Sequence, residues 1–192
     1  MPDTIRDGKG KGYLAEVDNK NRLHAYSIVE AEASYINRVE GEMYSGSWGS
    51  SGVAAATGGN YIFYLKNTAG DKDLVVVKLK HRTSGAAGSL SVELKVTGTP
   101  GGTLTTLTPS NRNAGSNNVA QCNYYSSTNI TGLTAGRTVG SSYFDPTIEG
   151  AFKIQELCSG WILPPNGTLA IKANNATATH YGGISFYFRD SQ

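Results

Sequence analysis

The fold is decided by Ser89-Leu90-Ser91-Val92-Glu93-Leu94-Lys95-Val96, in which polar and apolar residues alternate over the whole stretch. Successive side chains of a β-strand point to opposite faces, so this alternation puts Leu90, Val92, Leu94 and Val96 on one face. The stretch is therefore predicted to be a strand with one face against a core.

Other stretches have the same character, and turn signals separate them. Leu169–Ala173 and Ile184–Arg189 alternate in the same way, and Leu74–His81 does so near its end. Tyr61–Lys66 is apolar along its length and is predicted to be a central strand. Weaker strand patterns lie at Glu42–Trp48, Thr103–Thr108, Val119–Tyr125 and Ile148–Leu157. Turns are predicted at Thr68–Asp71, Ser84–Gly88, Thr99–Gly102 and Pro164–Gly167, where Asn166 helps to make the bend.

These patterns predict an all-β fold: an antiparallel two-sheet sandwich, with a jelly roll as the favoured form, preceded by an extended N-terminal arm. Gly, Ser, Thr and Asn make up 74 of the 192 residues, which favours turns and strands over helices. Residues 28–44 are the only helix candidate, and a short helix and an extended arm suit them equally.

The arm is predicted to span residues 1–45 and the sandwich residues 46–192. From Ile5 to Leu23 the sequence alternates glycine and charge too finely to build a core of its own. A phosphate-binding loop is rejected, because no strand precedes the glycines and no Lys-Ser/Thr pair follows them. The residues expected to contact a partner are Arg6, Asp7, Gly8, Gly10, Gly12, Tyr13, Val17, Asp18, Arg22 and Leu23.

Charge and cysteine content narrow the classes of partner. A net charge of +2 is too small to indicate direct contact with nucleic acid, and no apolar run is long enough for a membrane helix. Met1-Pro2-Asp3 does not open a signal peptide, and two cysteines fit synthesis in a reducing compartment. Residues 100–147 carry only three charged groups, which fits either a flexible loop or a subunit interface.

No residue pattern indicates catalysis, a cofactor or a metal. His24, His81 and His180 lie on separate segments without metal-ligand spacing. Asp71 and Asp73 flank a lysine in a predicted turn, and Cys158 has no histidine that the sequence places beside it. The sequence therefore predicts a protein that is not an enzyme.

Aromatic residues near the predicted loops are candidates for contact with a partner. Exposed tyrosines can stack on sugars, and they also anchor protein interfaces. The interface is the favoured interpretation for Tyr124, Tyr125, Tyr143 and Phe144.

The opening segment Asp7-Gly8-x-Gly10-x-Gly12-Tyr13-x-Ala15-x-Val17-Asp18-x-x-Asn21-Arg22-Leu23 resembles a leader found on structural proteins of tailed bacteriophage particles, ahead of a β-sandwich body. Thr108–Asn117 and Trp161–Ile171 are similar to connecting loops of phage jelly-roll proteins.

The resemblance implies a non-enzymatic component of a phage particle, above all a capsid decoration (cement) protein on the outside of the shell. It would be made in the host cytoplasm, would bind the major capsid protein or another virion protein, and would be a homo-oligomer, with a trimer favoured. Two alternatives stay open: a tail, collar or fibre-base protein, and a glycan-binding module for host attachment.

Overall fold

A computed structural model describes residues 5–6, 14–17, 23–24, 32–48, 52–84, 86–144 and 153–191. Within these ranges, the side chains of residues 5–24, Ser142, Phe144 and 153–159 lie outside the description. Contacts divide the chain into two units, Met1–Glu32 and Ala33–Gln192. The second unit is called the body below. The strand Met43–Ser47, which straddles the predicted boundary at 45/46, belongs to the body.

The first unit contains three short strands, β1 (Ile5–Arg6), β2 (Leu14–Val17) and β3 (Leu23–His24). They pair antiparallel in the order β1-β2-β3. The glycine-and-charge segment thus pairs with itself along its described backbone. Neither sheet of the body includes any of these strands.

A helix precedes the strands of the body and ends before the predicted limit at residue 44, and residues 28–31 of the predicted range lie outside the described residues. It runs as α1 (Glu32–Tyr35) and continues as a π-helical turn, Ile36–Glu40. Gly41 ends it with φ 64°, and its N–H donates to the Ile36 carbonyl at 2.8 Å. The helix cannot extend to residue 44, because the next strand begins at Met43.

The strands of the body confirm the predicted all-β class. In chain order they are β4 (Met43–Ser47), β5 (Val53–Ala54), β6 (Asn60–Asn67), β7 (Lys72–Ser84), β8 (Gly88–Leu94), β9 (Thr97–Gly101), β10 (Thr105–Thr106), β11 (Ser110–Asn111), β12 (Cys122–Thr134), β13 (Arg137–Phe144), β14 (Lys153–Leu163), β15 (Thr168–Ala173) and β16 (Thr179–Asp190).

Two antiparallel sheets form the sandwich. The first has the order β10-β12-β6-β15-β8-β13, with β9 beside β12, and the second has the order β11-β4-β16-β7-β14, with β5 beside β16. Strands β4, β6, β7 and β8 lie alternately in the second and first sheets. Strands β13 and β15 lie in the first sheet, and β14 and β16 lie in the second, so the chain again crosses between the sheets at each step. This connectivity is that of a jelly roll.

The main core lies between the two sheets. Trp48, which directly follows β4 of the second sheet, is fully buried and packs on Phe63 of the first sheet, with ring centroids 5.6 Å apart. Strand β6 is apolar along its length because both of its faces are covered. Phe63 and Leu65 face the main core, whereas Tyr61 and Tyr64 lie in an outer cluster with Val96, Ile130 and Ala170. The prediction of a central strand here is confirmed, since β6 pairs with both β12 and β15.

The prediction for Ser89–Val96 is wrong at one residue, Val96. Leu90 and Val92 are in the main core and Leu94 packs against it, but Val96 is buried in the outer cluster. Strand β8 ends at Leu94, and Lys95 takes a left-handed conformation (φ 58°). The chain turns there, so Val96 lies on the other face of the sheet.

The charge-poor span 100–147 is largely part of the body's structure. Residues 111–118 form a loop held against the C-terminal end of the helix, and this loop is called the amide clamp below. Asn111 donates to the Gly41 carbonyl at 2.6 Å, Asn113 to Asn37 at 2.8 Å, and Asn118 to Glu40 at 2.9 Å. These side-chain amides satisfy carbonyls that a helix end leaves unpaired.

Candidate functional site

The predicted arm residues fall mostly outside the description. Arg6, Val17 and Leu23 lie in β1, β2 and β3, and Val17 is the register partner of Leu23. The others, which are Asp7, Gly8, Gly10, Gly12, Tyr13, Asp18 and Arg22, lie outside the described residues. Contact of these residues with a partner stays a prediction.

The four aromatic residues do not form one surface. Tyr124 is 1% exposed and packs edge-to-face on Phe63, with centroids 4.7 Å apart, so it is a core residue and cannot contact a partner. Tyr125 is half-buried, and its ring stacks on Tyr64. Tyr143 is 58% exposed near the end of β13. The backbone of Phe144 ends the same strand, but its side chain lies outside the description.

A cleft of about 480 Å³ opens on the outer face of the second sheet. Strands β4 and β16 run side by side there and present only small side chains outward, including Ser45, Ser47 and Ser185, because Tyr44 and Phe186 turn into the core. The cleft is also lined by Lys80, Thr108 and Ser110.

The lining residues limit what the cleft can do. Hydroxyl groups and one ammonium can donate hydrogen bonds to a polar ligand. No carboxylate, imidazole or thiol is among its described lining residues, so those residues provide no general acid–base pair.

A buried carboxylate lies on the outer face of the first sheet. Glu93 is 3% exposed and accepts hydrogen bonds from the Tyr61 hydroxyl at 2.6 Å and the Gly136 amide at 3.1 Å. The Lys172 ammonium lies 3.6 Å from its other oxygen. Burial, then the hydrogen bond and charge of Glu93, raise the pKa of Tyr61, so that hydroxyl stays a donor. The arrangement holds the outer cluster together.

Two histidines that are far apart in sequence meet inside the body. Nε2 of His81 lies 3.2 Å from Nδ1 of His180, and the rings stack with centroids 5.4 Å apart. Both are buried, and burial lowers the pKa of His180 to about 4, against a smaller opposing effect of the Asn175 backbone. His180 is therefore neutral at pH 7. The alternation of β7 and β16 could have indicated inward side chains, but not their pairing.

Of the two thiols, only that of Cys122 is described. Burial raises the pKa of the Cys122 thiol to about 12, so it stays protonated and poorly nucleophilic. The side chains of Cys158 and His24 lie outside the description. Across the described ranges, no group of three or more His, Cys, Asp or Glu side chains could hold a metal ion.

Comparison with known proteins gives no match: no protein family, curated protein or solved structure is significantly similar to this chain. Over the part of the chain that the structure describes, no helix is long and apolar enough to cross a membrane.

Proposed function

We propose that the chain is a non-enzymatic structural component of a tailed-phage particle, a decoration protein that binds the outside of the shell and stabilises it across subunit boundaries. The observation that carries the proposal is that the described strands of the body and those of the N-terminal segment form separate sheets. Every described strand of the two sheets lies after Ala33, and the described strands of the segment that resembles a phage leader belong to neither sheet.

The environments of the buried ionisable groups support a structural role. Glu93 is engaged by Tyr61 and Gly136, and His180 lies against His81. Glu93 and His180 are both buried within the body. A protein of this kind acts through its surface and its N-terminal segment.

A decoration protein benefits from many weak contacts made at once. Linking binding segments in one assembly makes the second contact intramolecular, which raises the overall affinity without a new kind of contact. A segment that becomes ordered on binding loses roughly 1–2 kcal/mol per fixed residue, so it must bury apolar side chains or pair its backbone to bind at all.

Removal of residues 1–32 tests the proposal. Full-length and truncated chains are added to purified shells of the encoding phage that lack this protein, and bound protein is measured after sedimentation. We expect the truncated body to stay folded and to lose shell binding. A matched control keeps residues 1–32 but shuffles positions 7–23, which preserves length and charge and should also abolish binding. Full decoration by the truncated body would overturn the role of the segment.

Copy number separates the shell from the tail. A shell component is present in on the order of hundreds of copies per particle, because it follows the symmetry of the shell, whereas a tail, collar or fibre-base protein is present in on the order of ten. Quantitative mass spectrometry of purified particles distinguishes the two.

The glycan-binding alternative cannot use Tyr124 and Tyr125 as a pair of open rings. Tyr124 is in the core and Tyr125 is stacked on Tyr64, so the two residues do not offer adjacent open rings to a sugar. The hydroxyl-lined cleft offers a different place for a sugar on the described surface. A glycan screen with the full chain and a Ser185→Tyr variant, which fills the cleft, tests this alternative.

A further inference from the structure

Strand β13 forms an outer edge of the first sheet. It pairs with β8 on one side, and no described strand lies on its other side. The ladder has a bulge at Val139, since Thr138 pairs with Glu93 and Gly140 with Val92. From Gly140 to Phe144 the pairing with β8 is regular.

Beyond the bulge, from Gly140 to Phe144, this edge lacks the features that usually keep edge strands from pairing with other chains. Natural proteins protect edges with charged residues, prolines, bulges or very short strands. Gly140–Phe144 contains neither a charged residue nor a proline, and the only charge of β13, Arg137, lies before the bulge. The side chains of Ser141 and Tyr143, on the outer face of this strand, are exposed.

The other outer strands of the two sheets differ. Strands β10 and β11 have two residues each, and β9 contains Pro100. Strand β14 is long, but its pairing is interrupted between Glu156 and Trp161. Compared with these described edge strands, β13 differs in having five consecutive residues that pair regularly and carry no charge.

We propose that the edge Gly140–Phe144 pairs antiparallel with the same edge of a second copy of this chain, centred on Ser142, so that the two first sheets join across a two-fold axis. A two-fold interface uses the same patch on both subunits and therefore requires self-complementarity. The uncharged edge meets this requirement, because no like charges face each other and the two Arg137 residues lie at opposite ends of the pair.

The proposed register also provides side-chain contact. Residues directly opposite each other in an antiparallel pair share a face of the sheet. Tyr143 of each copy lies opposite Ser141 of the other, so an exposed ring covers a small side chain twice per dimer. A tyrosine buries a large area at such a contact. The inference does not depend on the proposed role in a phage particle, and its two-fold dimer differs from the trimer that the sequence favoured.

Sedimentation velocity of the full-length chain over a concentration series tests the pairing. We expect a reversible monomer–dimer equilibrium. Ser141→Lys places two lysines diagonally across the two-fold axis and should weaken the dimer by at least about tenfold. Thr106→Lys is the matched control, since it adds the same charge to the exposed β10 at the opposite end of the sheet, and it should dimerise like the unchanged chain.

Amide hydrogen exchange of the unchanged chain gives an independent readout if Ser141→Lys fails to fold. Protection that rises with protein concentration should be confined to residues 140–144. A chain that is monomeric at all concentrations, a trimer, an equal effect of the two lysine variants, or concentration-independent exchange in this strand would each overturn the proposal. The proposal would also be overturned if the chain were monomeric by itself and paired through this edge only with a strand of another virion protein.

Discussion

Two buried tyrosine hydroxyls have opposite hydrogen-bonding states. The Tyr124 hydroxyl is buried and has no hydrogen-bond partner within the described structure, whereas the Tyr61 hydroxyl donates to Glu93 at 2.6 Å. A buried polar group without a partner costs free energy, while removing one partner of a buried charged pair leaves the other unsatisfied.

These states predict opposite effects of the same substitution. Tyr124→Phe should leave the free energy of unfolding unchanged or raise it by up to about 1 kcal/mol, and Tyr61→Phe should lower it by about 1–3 kcal/mol. Urea denaturation of both variants measures the difference. Equal losses would contradict the assigned hydrogen bonds.

His180 makes the body sensitive to acid. Its pKa is about 4 in the folded chain, because burial disfavours the charged ring, against 6.5 for an exposed histidine. Between these values the unfolded chain binds more protons than the folded chain, so stability falls as the pH drops from 6.5 to about 4. The loss from this residue should be at most about 3 kcal/mol.

Denaturant unfolding at a series of pH values measures that loss. His180→Gln should remove most of the pH dependence in this window, because glutamine does not titrate. A variant with the same slope as the unchanged chain would show that other groups cause the acid sensitivity.

Gly182 is required by the position of Trp48. A Cβ atom at Gly182 would overlap Cζ2 and Cη2 of the buried Trp48 ring and the Lys80 carbonyl. Gly182→Ala should therefore lower the free energy of unfolding by about 3 kcal/mol or more. Gly70→Ala is the matched control, since no atom lies within 4 Å of its Cβ position, and its unfolding midpoint should stay close to that of the unchanged chain.

At the scale of elements, the amide clamp holds the helix end to the body. Asn111 donates to the Gly41 carbonyl and also to Asn118 and Ser116. Asn111→Ala should cost about 1–2 kcal/mol, because the Asn118 carbonyl and the Asn113 N–H lose this partner and the Gly41 carbonyl keeps only the Ser116 hydroxyl. Urea denaturation checks this, with Asn117→Ala as the control at an exposed position of the same loop. Equal effects of the two variants would contradict the clamp.

In β8, the alternation of polar and apolar residues continues beyond the end of the strand. Its pattern continues to Val96, yet the strand ends at Leu94, and Lys95 redirects the chain. The Val96 carbonyl accepts a hydrogen bond from the Thr168 hydroxyl at 2.7 Å, and its side chain packs with Ile130. Contacts with residues distant in sequence thus set the end of this strand.

At the scale of the whole molecule, the body holds the apolar clusters that stabilise the described fold. All three buried clusters are built from residues between Ile36 and Phe188. Removal of residues 1–32 should leave a single cooperative thermal transition with a midpoint close to that of the full chain.

A longer truncation measures how much the helix contributes to the stability of the body. Removal of residues 1–42 also deletes Ile36, which covers Met43, Val75 and Tyr187 on the outer face of the second sheet. The lost burial of Ile36 alone should cost about 1.5–3 kcal/mol. Scanning calorimetry of both truncations measures the difference, and equal midpoints would show that the helix contributes nothing to the body.

Alternation was enough to predict the class of fold and many of its strands, but β5, β9 and β13 were not among the predicted strands. Alternation is a local property, because it follows from the two-residue period of a strand, so Leu90, Val92 and Phe186 could be placed in a core from their neighbours alone. The apolar run of β6 likewise indicated a strand covered on both faces.

Only the tertiary structure decided which strands are neighbours and what meets between them. It buried Tyr124, which the sequence placed at an interface, and it brought His81 to His180 across 99 residues of chain. It also left β13 as an edge, although nothing in its sequence distinguishes an edge strand from a central one. The physical reason is that burial and pairing depend on contacts between distant segments, which exist only once the sheets have closed around a common core.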